Sequence, residues 1–177
     1  EACRQQPRAP RLVFTSSVAA FGGDMPDVVT DSTAATPRSS YGTQKAIGEL
    51  LVADYTRKGF VDGRAVRLPT IVVRPGKPNR AASGFMSNIL REPMNGEPAV
   101  CPVSRDTQMW ILSPQRAVDA LVRAMELAPD DWGWNRTLNL PGITVSVDEA
   151  LAALEKIAGR QCVERVRFEH DAAIAKI

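Results

Sequence analysis

The feature that most restricts the fold is a short apolar run, Leu12-Val13-Phe14, that gives way at once to Thr15-Ser16-Ser17. Three consecutive apolar residues leave no face for solvent. Residues 11–17 are therefore expected as a strand covered on both sides, the pattern of a parallel sheet. Small hydroxyl side chains at its end leave room for a ligand, and open α/β sheets bind ligands at the carboxyl ends of their strands. A parallel neighbour needs a crossover. Residues 24–40 are polar, contain Pro26 and Pro37, and are expected as a loop. A helix should then run from Ser39 or Ser40 to about Lys58, with Gly59 as its stop. Its residues Ile47, Leu50, Leu51 and Tyr55 share one face by their spacing. Residues 63–73 form the second strand candidate, and Pro69 inside it removes a ladder donor, so a bulge or strand end is expected there.

The rest of the chain carries shorter elements. Residues 74–80 hold turn formers and are expected as a loop. Residues 85–90 suit a short helix and 97–103 a short strand. Ser113 and Pro114 read as an N-cap and first helical residue. That helix passes through Val118, Leu121, Val122 and Met125 to about Ala128. Residues 137–140 form a short strand. Ser146-Val-Asp-Glu149 is a capping box, opening a helix with Leu151, Leu154 and Ile157 that ends at Gly159. Residues 163–168 alternate apolar and charged, the mark of a half-buried strand. The order defines an α/β fold with a parallel sheet and a smaller, mixed C-terminal part.

Composition narrows the function classes. With 44% hydrophobic and 24% charged residues, the 177-residue chain has the makings of a packed domain, not of a disordered one. Its 22 basic and 20 acidic residues leave a net charge of +2 without a basic block, so nothing favours nucleic acid as a partner. No apolar run has the length of a membrane span. Cys3, Cys101 and Cys162 are far apart and form no CxxC pair. They are expected as free thiols of a reducing, cytoplasmic environment. With His170 as the one histidine, no metal site is expected. Trp110, Trp132 and Trp134 are expected to pack.

The chemistry points to Tyr41-Gly-Thr-Gln-Lys45. Residues four apart share a helix face, with Cβ atoms roughly 6 Å apart. A neighbouring ammonium favours the phenolate, and so does the positive end of the helix dipole. A tyrosine brought toward neutrality in this way can act as a general base. Ser17, at the end of the first strand, is placed to meet a hydroxyl or carbonyl held by that tyrosine.

These residues carry a family resemblance. Leu12-Val-Phe-Thr-Ser-Ser17, Phe21-Gly22, Ser40-Tyr-Gly-Thr-Gln-Lys45 and Arg67-Leu-Pro-Thr-Ile-Val-Val-Arg-Pro-Gly76 resemble the extended short-chain dehydrogenase/reductases, the NAD-dependent epimerase/dehydratase family. Asn139-Leu-Pro-Gly142 and the capping box resemble its C-terminal part. The resemblance implies a Rossmann-like parallel sheet and NAD as cofactor. It makes Ser17, Tyr41 and Lys45 catalytic, with Tyr41 the base, Lys45 the ribose contact and Ser17 the residue that orients the reacting hydroxyl. It places Ser16, Tyr41, Lys45, Pro69, Thr70 and Ile71 at the cofactor. Residues 74–79, 83–85 and 90–93 look most like members that oxidise a short, four-carbon sugar acid at C2. On that reading Ser17, Arg74, Ser83 and Arg91 meet the substrate, with Lys77, Arg80 and Arg105 as further cations for a carboxylate. The alternatives are a nucleotide-sugar epimerase or dehydratase of the same family, or a non-catalytic binding protein.

One departure is large. None of the 12 glycines forms the family's Gly-x-x-Gly-x-x-Gly phosphate turn. The chain is accordingly expected to be the C-terminal half of a longer enzyme, inactive alone and homodimeric when whole. Residues 1–75 would be half of a dinucleotide-binding domain and residues 76–177 mainly a substrate-binding part. The helix at 113–128 and the strand at 137–140 would return to the Rossmann core.

Overall fold

The computed structural model describes residues 8–76 and 82–174. Lys77, Arg80 and Cys3 lie outside the described residues. In chain order the elements begin with β1 (Arg11–Ser17), α1 (Ser40–Arg57), β2 (Asp62–Leu68), β3 (Thr70–Ile71), α2 (Phe85–Met94) and β4 (Ala99–Cys101). They continue with β5 (Gln108–Leu112), α3 (Pro114–Glu126), β6 (Thr137–Asn139), β7 (Ile143–Ser146), α4 (Val147–Ala158), α5 (Arg160–Val163) and β8 (Val166–Phe168). The chain divides into two compact units, Glu1–Pro69 with Gln115–Pro141 and Thr70–Pro114 with Gly142–Ile177.

The first unit is built on a parallel sheet of order β1-β2-β6. Its central strand β2 is buried along almost its whole length. Two arginines lie in it. Arg64 is fully buried, yet it is partnered: its guanidinium donates to the carbonyls of Ala124 and Met125 and to Asp62. It thereby caps the carboxyl end of α3, where helix carbonyls lack internal partners. Arg67 takes part in the site described below.

The apolar stripe of α1 does not face this sheet. Ile47, Leu50, Leu51 and Tyr55 are all exposed, and the residues that α1 buries are Gly42, Glu49 and Val52. The reason is close approach. A Cβ on Gly48 would come within 2.4 Å of the Phe14 ring, and one on Gly42 within 1.9 Å of the Ala19 carbonyl oxygen. The helix lies on β1 through its small residues. α3 behaves alike, burying Ala117 and Ala124 while Val118, Val122 and Met125 stay exposed. β1 is correspondingly an edge strand, half-buried and not covered on both sides, with Leu12 exposed. Trp132 packs as expected, whereas Trp134 is 92% exposed.

The strand expected over residues 63–73 ends at Pro69. The chain resumes as β3, which pairs in parallel with β5 in the second unit. There β5 also pairs antiparallel with β7, and β4 pairs in parallel with β8. Phe85, Met86 and Ile89 of α2 meet Val147, Ala150, Leu151 and Leu154 of α4 in one core. The capping box forms: Ser146 Oγ accepts from the Glu149 amide at 3.1 Å, and Glu149 Oε2 accepts from the Ser146 amide at 2.7 Å. Ile157, expected on the buried face of α4, is exposed. Residues 160–163 form a helical turn, α5, so the last strand is shorter than its alternation implied. Cys101 and Cys162 are free and buried.

Candidate active site

Thr15, Ser16 and Ser17 close β1 and diverge in role at once. Ser17 leaves the strand as the N-cap of a 3-10 turn, Val18–Ala20, and its Oγ accepts from the Ala19 amide at 3.2 Å. Its own hydroxyl proton is therefore available to a ligand. Ser16 points the other way. It is 3% exposed, and its hydroxyl donates to Glu49 Oε1. The Ser16 side chain therefore faces the interior. The sequence offered no local sign of this, because its partner lies 33 residues away.

Tyr41 and Lys45 sit in the first turns of α1. The helix starts where Ser39 Oγ accepts from the Gly42 amide at 3.0 Å. Tyr41 is 53% exposed. Lys45 Nζ lies 5.4 Å from the centre of the Tyr41 ring and 5.0 Å from that of Phe14, and donates to the Thr15 carbonyl at 2.7 Å. That bond ties α1 to the end of β1. Gly42, pressed on the Ala19 carbonyl, ties the helix start to the turn that Ser17 caps. Ser17, Tyr41 and Lys45 are thus brought to the carboxyl end of one strand. Ser17 lies across from Leu68 in the β1–β2 register, so Pro69 follows at the same end of the sheet.

The remaining predicted residues gather within the second unit. Thr70 is buried, and the Ile71 carbonyl accepts from Arg74 Nε at 3.0 Å and from Ser87 Oγ at 3.1 Å. Arg74 Nη2 also reaches Ser83 Oγ at 3.5 Å. Arg91 donates to the Arg74 carbonyl at 2.6 Å, to Asn88 Oδ1 at 2.9 Å and to Glu92 Oε1 at 2.7 Å. Its fork is filled by the protein itself, so Arg91 clamps the Arg74 backbone. Arg105 is exposed and paired with Asp148 at 2.6 Å. Among the described residues, no helix is long and apolar enough to cross a membrane, and no group of three or more His, Cys, Asp or Glu is placed to hold a metal ion.

A parallel sheet carrying a serine at one strand end, with a Tyr-x-x-x-Lys helix laid on it, is the arrangement of part of a Rossmann-type fold. The chain belongs to the NAD dependent epimerase/dehydratase family, whose model matches residues 1–132. It is 54% identical over all 177 residues to D-erythronate dehydrogenase of Cupriavidus necator, covering 55% of that protein. It is 50% identical to the D-erythronate dehydrogenase of Haemophilus influenzae, covering 56% of it. The chain spans about half the length of the curated relatives it matches. Among solved structures it resembles the nucleoside-diphosphate-sugar epimerase from Agrobacterium tumefaciens, with a TM-score of 0.88 and 49% identity over 94% of this chain and 48% of that one. It also resembles the GalE-like L-threonine dehydrogenase from C. necator, with a TM-score of 0.83 and 26% identity over 94% of this chain and 54% of that one.

Proposed function

We propose that these residues form the catalytic half of an NAD-dependent dehydrogenase that oxidises the C2 hydroxyl of a short sugar acid such as D-erythronate. The observation that carries this reading is the convergence of Ser17, Tyr41 and Lys45 at the carboxyl end of β1, in a chain whose relatives of 50% and 54% identity are D-erythronate dehydrogenases.

The residues fit one end of a dinucleotide. Tyr41 is half exposed, and Lys45 has two donors beyond the one given to Thr15, which suits the hydroxyls of the nicotinamide ribose. No glycine-rich turn in this chain fits the pyrophosphate. Bound there, the nicotinamide supplies the hydride acceptor. Ser17 donates to the substrate oxygen and fixes its orientation. The Tyr41 oxygen takes the hydroxyl proton, and the Lys45 ammonium stabilises the negative charge on that oxygen. A sugar acid brings a carboxylate, for which arginine is the best-matched donor. Of Arg74 and Arg91, Arg74 has the fewer donors in use, and it is assigned this role here.

The second reading, a nucleotide-sugar epimerase, is favoured by the likeness to the Agrobacterium structure. The two readings part on net redox change. The test is made on a chain of the relatives' full length that contains these residues. It is given NAD with D-erythronate and other short aldonic acids, and separately with UDP- and GDP-sugars. NADH formed from a short aldonic acid is the expected result. An epimer produced from a nucleotide sugar with no net NADH would move the same three residues to the second reading.

A further inference from the structure

Glu49 and Arg67 have no part in the chemistry assigned above, yet they form a buried, mutually bonded polar cluster in the first unit. Glu49 and Arg67 are each 6% exposed. Arg67 Nε donates to Glu49 Oε1 at 2.9 Å and Arg67 Nη2 to Glu49 Oε2 at 2.7 Å, a bidentate pair. Ser16 adds its hydroxyl on Oε1. Arg67 stands directly across from Ser16 on the neighbouring strand. Its guanidinium lies 4.5 Å from the centre of the Phe21 ring, and Phe21 closes the 3-10 turn that Ser17 opens.

The cluster therefore touches every element that carries the site. Tyr41, Lys45 and Glu49 are spaced by four, so they form one stripe along α1. Lys45 grips β1 at Thr15, and Glu49 grips it one residue later at Ser16. Arg67 braces the same carboxylate from β2 and the Ser17 turn from its far end. A buried ion pair is a poor source of stability, since desolvation offsets most of its attraction, but its fork geometry is specific. α1 approaches Phe14 of β1 at Gly48 and the Ala19 carbonyl of the following turn at Gly42. Along this seam the directional contacts are Lys45 to Thr15 and, in the interior, Glu49 to Ser16.

We propose that Glu49 and Arg67 are positioning residues. Their pair fixes the register of α1 along β1 and the Ser17 turn, and so sets where Tyr41 and Lys45 stand relative to Ser17. The kinetic consequence rests on the dehydrogenase reading; the register itself does not.

The test uses the full chain labelled with 13C at the tyrosine ring Cζ, in a Tyr55→Phe background so that the one resonance is that of Tyr41. Glu49→Leu/Arg67→Met replaces the pair by apolar side chains of similar size, and Glu49→Gln removes the charge with minimal change of shape. Asp54→Asn is the control; its ion pairs with Arg57 and Lys58 are on the exposed side of the same helix. The Tyr41 resonance should move in both Glu49 variants and stay in place in Asp54→Asn. An unmoved resonance in a double variant that melts like its parent overturns the proposal, and so does an equal movement in Asp54→Asn. If the double variant does not fold, Glu49→Gln decides by the same criterion. This readout needs neither cofactor nor substrate, so its failure counts against the positioning role alone. In a catalytically competent chain of the relatives' length, Glu49→Gln should lower kcat roughly ten- to a hundredfold, the scale of a misplacement near 1 Å, with KM little changed. A rise in KM at unchanged kcat would contradict it.

Discussion

Lys45 has three donors, and the first unit uses one of them on Thr15. The ammonium is thus anchored without being neutralised, and it stays beside the Tyr41 ring. This division predicts two different failures. On the proposed reading Tyr41→Phe removes the atom that accepts the proton and should lower kcat about a hundredfold or more, with a smaller loss of cofactor affinity than Lys45→Met. Lys45→Met removes both the ribose donor and the fixed positive charge, so it should weaken NAD binding and slow turnover together. Steady-state kinetics with NAD titrations separates the two, and near-normal turnover in Tyr41→Phe would remove the mechanism. The Tyr41–Lys45 relation was legible in the sequence because a spacing of four on a helix is a local geometric fact. The roles of Ser16 and Glu49 were not. A buried carboxylate in the middle of a helix looks like a solvated one until its partners, 33 residues before it and 18 after it, are brought beside it by the β1–β2 register.

At the scale of the element, α1 shows what periodicity reveals and what it hides. The boundaries followed from Ser39 as a cap and Gly59 as a stop, and the helix ends within a residue or so of both. The choice of buried face did not follow. Apolar side chains at Ile47, Leu50 and Leu51 mark a face that needs cover, but periodicity does not name the cover, and the sheet takes the glycine face. The same inversion occurs in α3, where alanines are buried and the larger side chains are not. Strand β5 follows no clean alternation, and β7 alternates over only four residues that run straight into the cap of α4, so neither stood out. The tight seat of α1 gives a sharp expectation. Gly48→Ala places a methyl group 2.4 Å from the half-buried Phe14 ring, which must shift to admit it. It should cost about 1–3 kcal/mol, the range for overpacking, despite the better helix propensity of alanine. Urea denaturation measures it. A Gly48→Ala variant as stable as its parent would mean that α1 is not held this close to β1.

Across the whole molecule, the chain passes between its two units three times, at Pro69, Pro114 and Pro141 or directly after them. Each proline acts where a ladder or helix must stop or start: Pro69 separates β2 from β3, Pro114 opens α3, and Pro141 follows the end of β6. The breaks were visible in the sequence; the partner sheets were not, since strand pairing depends on residues far along the chain. Each unit then rests on its own interior, and that of the second unit contains a titratable group. Cys101 is fully buried in β4, and burial pushes its thiol above the usual value of 9.0, a shift only partly offset by a backbone hydrogen bond with Val103 and the nearby Arg105 charge. The sign follows directly. The unfolded chain loses this proton first, so the contribution is complete below about pH 9 and is lost as pH rises through the higher folded value. Stability to urea should therefore fall between about pH 8 and about pH 10 in the parent, and fall less in Cys101→Ala. The cavity left by the substitution lowers both ends of that interval alike, so the comparison of slopes isolates the thiol. Equal slopes in the two proteins would mean that Cys101 gains no proton affinity on folding, and that the alkaline loss belongs to other groups.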